Sequence, residues 1–103
     1  MDKKKVKIYL SGPISNTEDY VERFDKAAEQ LIEMGYTVIN PARVGLNLPE
    51  ETTHDEYMLM SFCLMRMCDA IFMLNGWEDS VGARLELQHA ERKKMSIFFE
   101  GGV

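Results

Sequence analysis

Short apolar segments of strand length alternate with longer segments of helical periodicity along the chain, and this alternation limits the folds open to it. The strand-like segments, rich in β-branched and aromatic side chains, lie at 6–10, 36–40, 69–74 and 96–99. The helical segments lie at about 20–31, 53–67 and 80–94. Strands that alternate with helices form a parallel sheet with right-handed crossovers and helices on both faces. We therefore expect one α/β domain over residues 1–103.

The expected sheet is open, has about four strands in the order 2-1-3-4, and is flavodoxin- or Rossmann-like. Sheets of this kind bind ligands beyond the carboxyl ends of the strands, where the strand order reverses. Here the reversal falls between the first and third strands, which are followed by the loops SGPIS (11–15) and NGWEDS (75–80). The sequence therefore predicts a binding crevice between these two loops.

Local signals set the expected helix boundaries. Ser15-x-x-Glu18 and Thr53-x-x-Glu56 have the pattern of capping boxes, which begin helices. Gly35 is placed to end the first helix in a left-handed conformation. Residues 41–53 show no periodicity, and we expect a long loop there, which in a compact domain is usually functional or mobile.

The second predicted helix, 53–67, is apolar nearly all round. Its apolar residues are Met58, Leu59, Met60, Phe62, Leu64, Met65 and Met67. A helix that is apolar on every side needs cover beyond its own sheet. We expect a homo-oligomer, a dimer or larger, assembled through this Met-rich helix; the alternative is an unusually apolar surface helix in a monomer.

Composition excludes several classes of partner. A formal charge of −5 argues against DNA or RNA as polymer partners, because binding to phosphates requires a basic surface. No segment predicts a signal peptide or a membrane span, since the longest apolar segment ends at Arg66. Cys63 and Cys68 are expected to be buried, reduced thiols in a cytoplasmic protein.

Motifs for metals and common cofactors are missing from the sequence. His54 and His89 are the two histidines, and with the two cysteines they cannot assemble a zinc site. Neither the Walker pattern nor G-x-G-x-x-G occurs, so ATP hydrolysis and dinucleotide redox chemistry have no support. We expect no metal and no cofactor, and a small molecule as the ligand.

The last helix carries a glycine one turn before a glutamate. Gly82 and Glu86 share one stripe of the helix at about 100° per residue. A helical side chain covers the turn before it, so Glu86 should lie over the space that Gly82 leaves open. The carboxylate either faces a small vacancy at the crevice or is exposed on a helix whose glycine only packs tightly.

Other residues at the expected crevice each have a structural and a functional interpretation. Tyr9 is either a core residue or a phenol that bonds a carboxylate or a sugar. Asp69, which opens the third strand, is a turn residue or a functional acid. Trp77 stacks on a base or closes the end of the sheet. Ser11, Ser15 and Ser80 are helix caps or phosphate contacts, and Asn40 is a turn residue or a ligand contact.

Several stretches together resemble a known superfamily. IYLSGPIS, GYTVINPA, CDAIFMLNGWEDSVGARLELQHA and the last strand are similar to the nucleoside 2-deoxyribosyltransferase-like superfamily. Within it, the chain most resembles small proteins that carry G-W-E-x-S-x-G-A-x-x-E and are related to 2'-deoxynucleoside 5'-phosphate N-hydrolases. The resemblance implies that Glu86 is the nucleophile, that Tyr9 orients its carboxylate, and that Asp69 helps to protonate the departing base.

We expect the substrate-binding residues at the crevice to be Ser11, Gly12, Pro13, Ser15, Asn40, Gly76, Trp77, Asp79, Ser80 and Gly82. Ser80 lies six residues before Glu86, where phosphate hydrolases have a serine and transferases an aspartate; Asp79 is adjacent. In the loop after the first strand, Ser15 stands where the hydrolases have an arginine. Neighbouring subunits complete the site in relatives, which agrees with the apolar second helix.

These observations favour an enzyme that cleaves or transfers the N-glycosidic bond of a 2'-deoxynucleoside or its 5'-monophosphate through a glutamate nucleophile. The chemistry suits a carboxylate, because the bond breaks through an oxocarbenium-like state. The alternative is a non-catalytic module that binds or senses a nucleotide or nucleotide sugar. A purely structural oligomer is a third possibility.

Overall fold

A computed structural model describes residues 5–15 and 17–102. The four strands are β1 (Lys7–Ser11), β2 (Thr37–Ile39), β3 (Ala70–Met73) and β4 (Ser96–Phe99). The helices are α1 (Tyr20–Glu33), α2 (Pro41–Gly45), α3 (His54–Met65) and α4 (Val81–Arg92), and a 3-10 turn covers Trp77–Asp79. All strand pairs are parallel, in the order β2-β1-β3-β4. The α/β fold and strand order predicted from the sequence are confirmed.

The sheet divides the core into two apolar layers, and β1 contributes to both because successive side chains point to opposite faces. Ile8 and Leu10 pack with residues of α1 and α2. Tyr9, on the other face, packs with residues of α3 and α4. Ser11 follows Tyr9 at a spacing of two residues and therefore lies on the same face. The strand thus places one phenol and one hydroxyl towards α4.

Two predictions about helix boundaries are wrong. Helix α1 begins at Tyr20, its N-cap is Asp19, and no side chain caps it, so Ser15-x-x-Glu18 is not a capping box. Part of the predicted loop 41–53 forms α2, which begins at Pro41 and is capped by the Asn40 side chain. Asn followed by Pro is a strong start signal, because Asn caps and Pro has the dihedral angle of a first helical residue.

Two other boundary predictions hold. The capping box of Thr53 and Glu56 begins α3, with both reciprocal hydrogen bonds present. Gly35 follows the end of α1 with a φ of 99°, in the left-handed region that glycine adopts without strain.

Helix α3 buries one side and leaves apolar side chains on the other. Met65 is buried against the sheet and α4, and Met58 is buried next to Gly82 of α4. Leu59 is 65% exposed, and Met67, just beyond the helix, is 54% exposed. Cys63 lies between them and is also exposed, so its predicted burial is wrong, whereas Cys68 is half-buried.

Within the described part of the chain, no helix has the length and apolar character that crossing a membrane requires.

Candidate active site

The Glu86 carboxylate is buried at the centre of a hydrogen-bond cluster. The side chain is 7% exposed, so it is not a surface glutamate. The Tyr9 hydroxyl donates to Oε2 at 2.7 Å, and the Ser11 hydroxyl donates to Oε1 at 2.5 Å. Both donors come from the face of β1 that α4 covers. A strand and a helix far apart in sequence therefore fix both carboxylate oxygens.

Burial and hydrogen bonding act in opposite directions on the acidity of this cluster. Burial raises the pKa of Glu86, because the charged form is poorly solvated, and hydrogen bonds from Ser11, Tyr9 and Ser61 partly offset that rise. Burial, followed by the charge of Glu86, raises the pKa of Tyr9 well above its usual value. Tyr9 therefore stays protonated and serves as a hydrogen-bond donor to the carboxylate.

A cleft of about 330 Å³ opens beside Glu86 at the carboxyl edge of the sheet. Its walls come from the loop after β1, the start of α3 and the first two turns of α4. The lining residues are Gly12, Ile14, Ser15, Thr52, His54, Tyr57, Met58, Ser61, Ser80, Gly82, Ala83 and Glu86. The carboxylate and the turn before it, at Gly82, share this cleft, which is the arrangement that the helical wheel predicts.

The absence of a side chain at Gly82 keeps this part of the cleft open. A methyl group there would lie 3.5 Å from Met58 Sδ and 3.8 Å from His54 Cε1, which are ordinary contact distances. The backbone would therefore tolerate alanine, and the methyl group would occupy the cleft. Gly12 is different: a β-carbon there would lie 2.9 Å from Leu74 Cβ, so its glycine allows the close approach of the two chain segments.

The structure brings six of the residues selected from the sequence to Glu86 or to the cleft. They are Tyr9, Ser11, Gly12, Ser15, Ser80 and Gly82. Ser80 also caps α4, since its hydroxyl accepts a hydrogen bond from the Ala83 amide at 3.1 Å. Ser15 lines the cleft without capping a helix.

Asp69 lies away from this cleft. It precedes the first residue of β3, it is exposed, and its Oδ2 accepts a hydrogen bond from the Lys7 amide at 3.0 Å. A residue that opens a parallel strand lies at the amino edge of the sheet, whereas the cleft is at the carboxyl edge. The expectation that Asp69 lies at the crevice therefore does not fit the strand direction.

The other predicted site residues lie outside the cleft, in the loops and the turn at the end of the sheet. Trp77 packs against Phe99, with ring centroids 5.9 Å apart, and covers the end of the sheet. Gly76 has a φ of 91°, and a β-carbon there would lie 3.3 Å from Pro13 Cγ. Asp79 is exposed at the end of the 3-10 turn. None of these four residues is part of the cleft lining.

Asn40 holds α2 in place rather than facing the cleft. Its side-chain oxygen accepts a hydrogen bond from the Ala42 amide at 3.1 Å, and its amide group donates to Asp25 Oδ1 at 3.0 Å. Arg43 forms an ion pair with the same Asp25 carboxylate. The Arg43 hydrogen bonds lower the pKa of Asp25, which keeps this carboxylate ionised. The cluster joins α1 to α2.

Helix α3 contributes site residues that were not predicted from the sequence. Ser61 is 5% exposed and lines the cleft, and His54, Tyr57 and Met58 line it on the same side. Ser61 is a polar residue within the otherwise apolar stretch 57–65, and this contrast is the sequence signal that could have identified it as a site residue. A serine that must be buried among methionines is expected to have a hydrogen-bond partner. Within the described residues, no group of three or more His, Cys, Asp or Glu side chains could hold a metal ion.

A profile of the protein family described as "Domain of unknown function (DUF4406)" matches residues 6–99. The chain belongs to this family. A search of curated proteins finds no match. Among solved structures, a 2-deoxyribosyltransferase from the psychrotolerant bacterium Bacillus psychrosaccharolyticus superposes with a TM-score of 0.68 and 23% identity. The match covers 91% of this chain and 71% of the other. This DUF4406 chain therefore has a 2-deoxyribosyltransferase-like fold, as its sequence resemblance predicts.

Proposed function

We propose that this protein cleaves or transfers the N-glycosidic bond of a 2'-deoxynucleoside or its 5'-monophosphate, with Glu86 as the nucleophile. The observation that carries the proposal is the buried Glu86 carboxylate, hydrogen-bonded by Tyr9 and Ser11 and open to a cleft of about 330 Å³. The similarity in fold to a 2-deoxyribosyltransferase supports it.

The proposed reaction begins with attack of a Glu86 carboxylate oxygen on the anomeric carbon of the sugar. The bond from that carbon to the base nitrogen breaks, and the base takes the electron pair. Positive charge develops on the sugar ring in the transition state, where a fixed carboxylate stabilises it electrostatically. Water or a second base then displaces the carboxylate from the sugar, as in retaining glycosidases.

Tyr9 and Ser11 have a positioning role in this reaction. Their hydroxyls hold the two oxygens of Glu86, so the carboxylate needs little reorientation before attack. Hydroxyl donors leave the negative charge in place, whereas an arginine or lysine would pair with it. No Lys or Arg is among the residues that line the cleft in the described structure.

The test is release of free base from a panel of 2'-deoxynucleosides and their 5'-monophosphates, followed chromatographically. We expect the wild type to release base and Glu86→Gln to lose turnover while it remains folded and binds the same ligand. Turnover retained in Glu86→Gln would exclude the nucleophile. A preference for monophosphates would assign Ser15 and Ser80, at the cleft, to the phosphate.

A non-catalytic binding module is the second candidate, and the position of Asp69 favours it. With Asp69 at the opposite edge of the sheet, Glu86 is the one carboxylate in the described cleft lining. A ligand that raises the melting temperature without release of base, equally in wild type and Glu86→Gln, would support this candidate. Neither release of base nor stabilisation by any member of the panel would contradict both functions.

The outer side of α3 supports assembly of copies of this chain. Leu59 and Cys63 are exposed one turn apart on one side of α3, and Met67, just beyond the end of the helix, is exposed as well. Contact with a second copy would remove these apolar surfaces from water. Light scattering should give at least twice 11.9 kDa for the wild type. Leu59→Arg should give the monomer mass, and Gln30→Arg, an exposed position on α1, should not.

A further inference from the structure

We propose that His54 is the acid that protonates the departing base, and the base that later takes a proton from the attacking water. This inference rests on the proposed function. The departing base needs a proton, because expulsion of an unprotonated base leaves it with a negative charge. The titratable side chains that line the described cleft are His54, Tyr57 and Glu86.

Tyr57 is not available for this role. Its hydroxyl donates to the carbonyl of Gly45 at 3.2 Å, so its proton is already committed to a backbone contact. A β-carbon at Gly45 would lie 2.6 Å from the same hydroxyl, which shows how closely the two residues pack. Burial also raises the pKa of Tyr57, which makes its proton harder to give up. With Glu86 as the nucleophile, His54 is the remaining candidate.

The position of His54 fits an acid that works opposite a nucleophile. It is the first residue of α3, and its Cε1 lies 3.8 Å from the place where a Gly82 β-carbon would be. Gly82 and Glu86 are one helical turn apart, about 6 Å along the axis, and the Glu86 side chain leans back towards Gly82. The imidazole and the carboxylate thus line one cleft, as an acid and a nucleophile that act on the same bond must.

In the proposed cycle, His54 gives up one proton and then regains one. In the first step, Glu86 bonds to the anomeric carbon, the carbon–nitrogen bond breaks, and the imidazolium of His54 gives its proton to a ring nitrogen of the base. The base leaves neutral, and His54 becomes neutral. In the second step, water attacks the anomeric carbon, the bond to Glu86 breaks, and His54 takes the proton from that water. Both side chains then have their original protonation states.

The experiment compares substrates whose leaving groups differ in their need for a proton. One pair is 2'-deoxyguanosine with 7-methyl-2'-deoxyguanosine, whose base is already cationic and leaves neutral. The other pair is 2'-deoxyuridine with 5-fluoro-2'-deoxyuridine, whose base is a better leaving group. The variants are His54→Gln, Glu86→Gln, and His89→Gln as a matched control. His89 is half-buried, stacks on Phe62 at 4.6 Å and lies outside the cleft lining.

We expect His54→Gln to lower kcat/KM for the unactivated substrate by about 10²- to 10⁴-fold, the usual contribution of a general acid. The loss for the activated partner of the same pair should be far smaller. His89→Gln should behave like wild type with both, and Glu86→Gln should lose both. Equal losses for the two substrates in His54→Gln would assign the residue to binding or folding and overturn the inference. Full activity of His54→Gln would also overturn it.

The two proposals fail in different ways. If Glu86→Gln loses turnover and His54→Gln shows no dependence on the leaving group, the proposed function stands and the role of His54 does not. If the wild type turns over neither substrate pair, nor any nucleoside or monophosphate of the panel, the proposed function fails and the role of His54 fails with it.

Discussion

Replacing Gly82 with alanine should make the protein more stable and less active. Glycine in a helix costs up to about 1 kcal/mol relative to alanine, chiefly through backbone entropy. The methyl group would meet Met58 Sδ at 3.5 Å and His54 Cε1 at 3.8 Å, so no clash cancels the gain. A gain of about 0.5–1 kcal/mol corresponds to a rise in melting temperature of roughly 2–8 °C for a domain of this size.

The loss of activity follows from where the methyl group goes. Gly82 lies one turn before Glu86 on the wall of the cleft, so the added carbon occupies space beside the carboxylate. One misplaced methyl group in a substrate pocket costs about 1–3 kcal/mol, or 10- to 200-fold in kcat/KM. Calorimetry and the base-release assay measure the two effects on the same preparation.

A matched control is Gly35→Ala, outside the cleft. Gly35 has a φ of 99°, and no neighbouring atom lies within 4 Å of the place where its β-carbon would be, so alanine there is strained without being crowded. Left-handed backbone costs a residue with a β-carbon about 1–2 kcal/mol. Gly35→Ala should therefore lower the melting temperature and retain turnover. A Gly82→Ala variant that is stabilised but fully active, or destabilised at all, would refute the argument for an open space kept for a ligand.

Four further outcomes follow from the structure. Tyr9→Phe should cost about 1.5–3 kcal/mol in urea unfolding, because a hydrogen bond to a buried carboxylate is lost. Gly12→Ala should cost about 1–3 kcal/mol by the same measurement, since the added β-carbon would lie 2.9 Å from Leu74 Cβ. Cys63, which is exposed, should be alkylated at pH 8 before Cys68, whose pKa burial raises to about 11; mass spectrometry of the labelled peptides checks the order. Burial raises the pKa of Glu86 above 4.5, so the folded state binds the carboxyl proton more tightly than the unfolded chain does. The contribution of Glu86 to stability therefore falls as the pH rises from about 4.5 through the folded pKa. Glu86→Gln should therefore gain stability relative to wild type over that interval, measured by unfolding at a series of pH values, and an unchanged difference would contradict the shift.

The sheet could be predicted from the sequence because each strand and helix carries its own local pattern. Parallel strands with helical crossovers leave few possible topologies, and the observed order is the expected one. Glu86 and Gly82 could also be placed, since helical spacing alone puts them on one stripe. Asp69 shows where this reasoning stops: it opens the third strand, and so it lies at the edge of the sheet opposite the crevice at which it was expected.

Helix α3 shows a second limit of prediction from the sequence. Its residues are apolar on nearly every side, so periodicity could not show which side faces the sheet and which faces the cleft. Ser61 and His54 line the same cleft as Glu86, and the 41–53 segment, which contains α2, leads into α3. The packing of this segment on α3, such as the contact of Tyr57 with Gly45, has no signature in sequence.

The surroundings of Glu86 are easier to explain by function than by stability. A buried carboxylate that serves the fold is normally paired with a cation, or replaced by a neutral amide of the same shape. Here hydroxyls donate to it, burial raises its pKa, and no lysine or arginine within the described residues forms an ion pair with it. Its charge is therefore held in position but not neutralised. The group that such a carboxylate stabilises best is a transient positive centre in the adjacent cleft, and an oxocarbenium-like sugar is a centre of that kind.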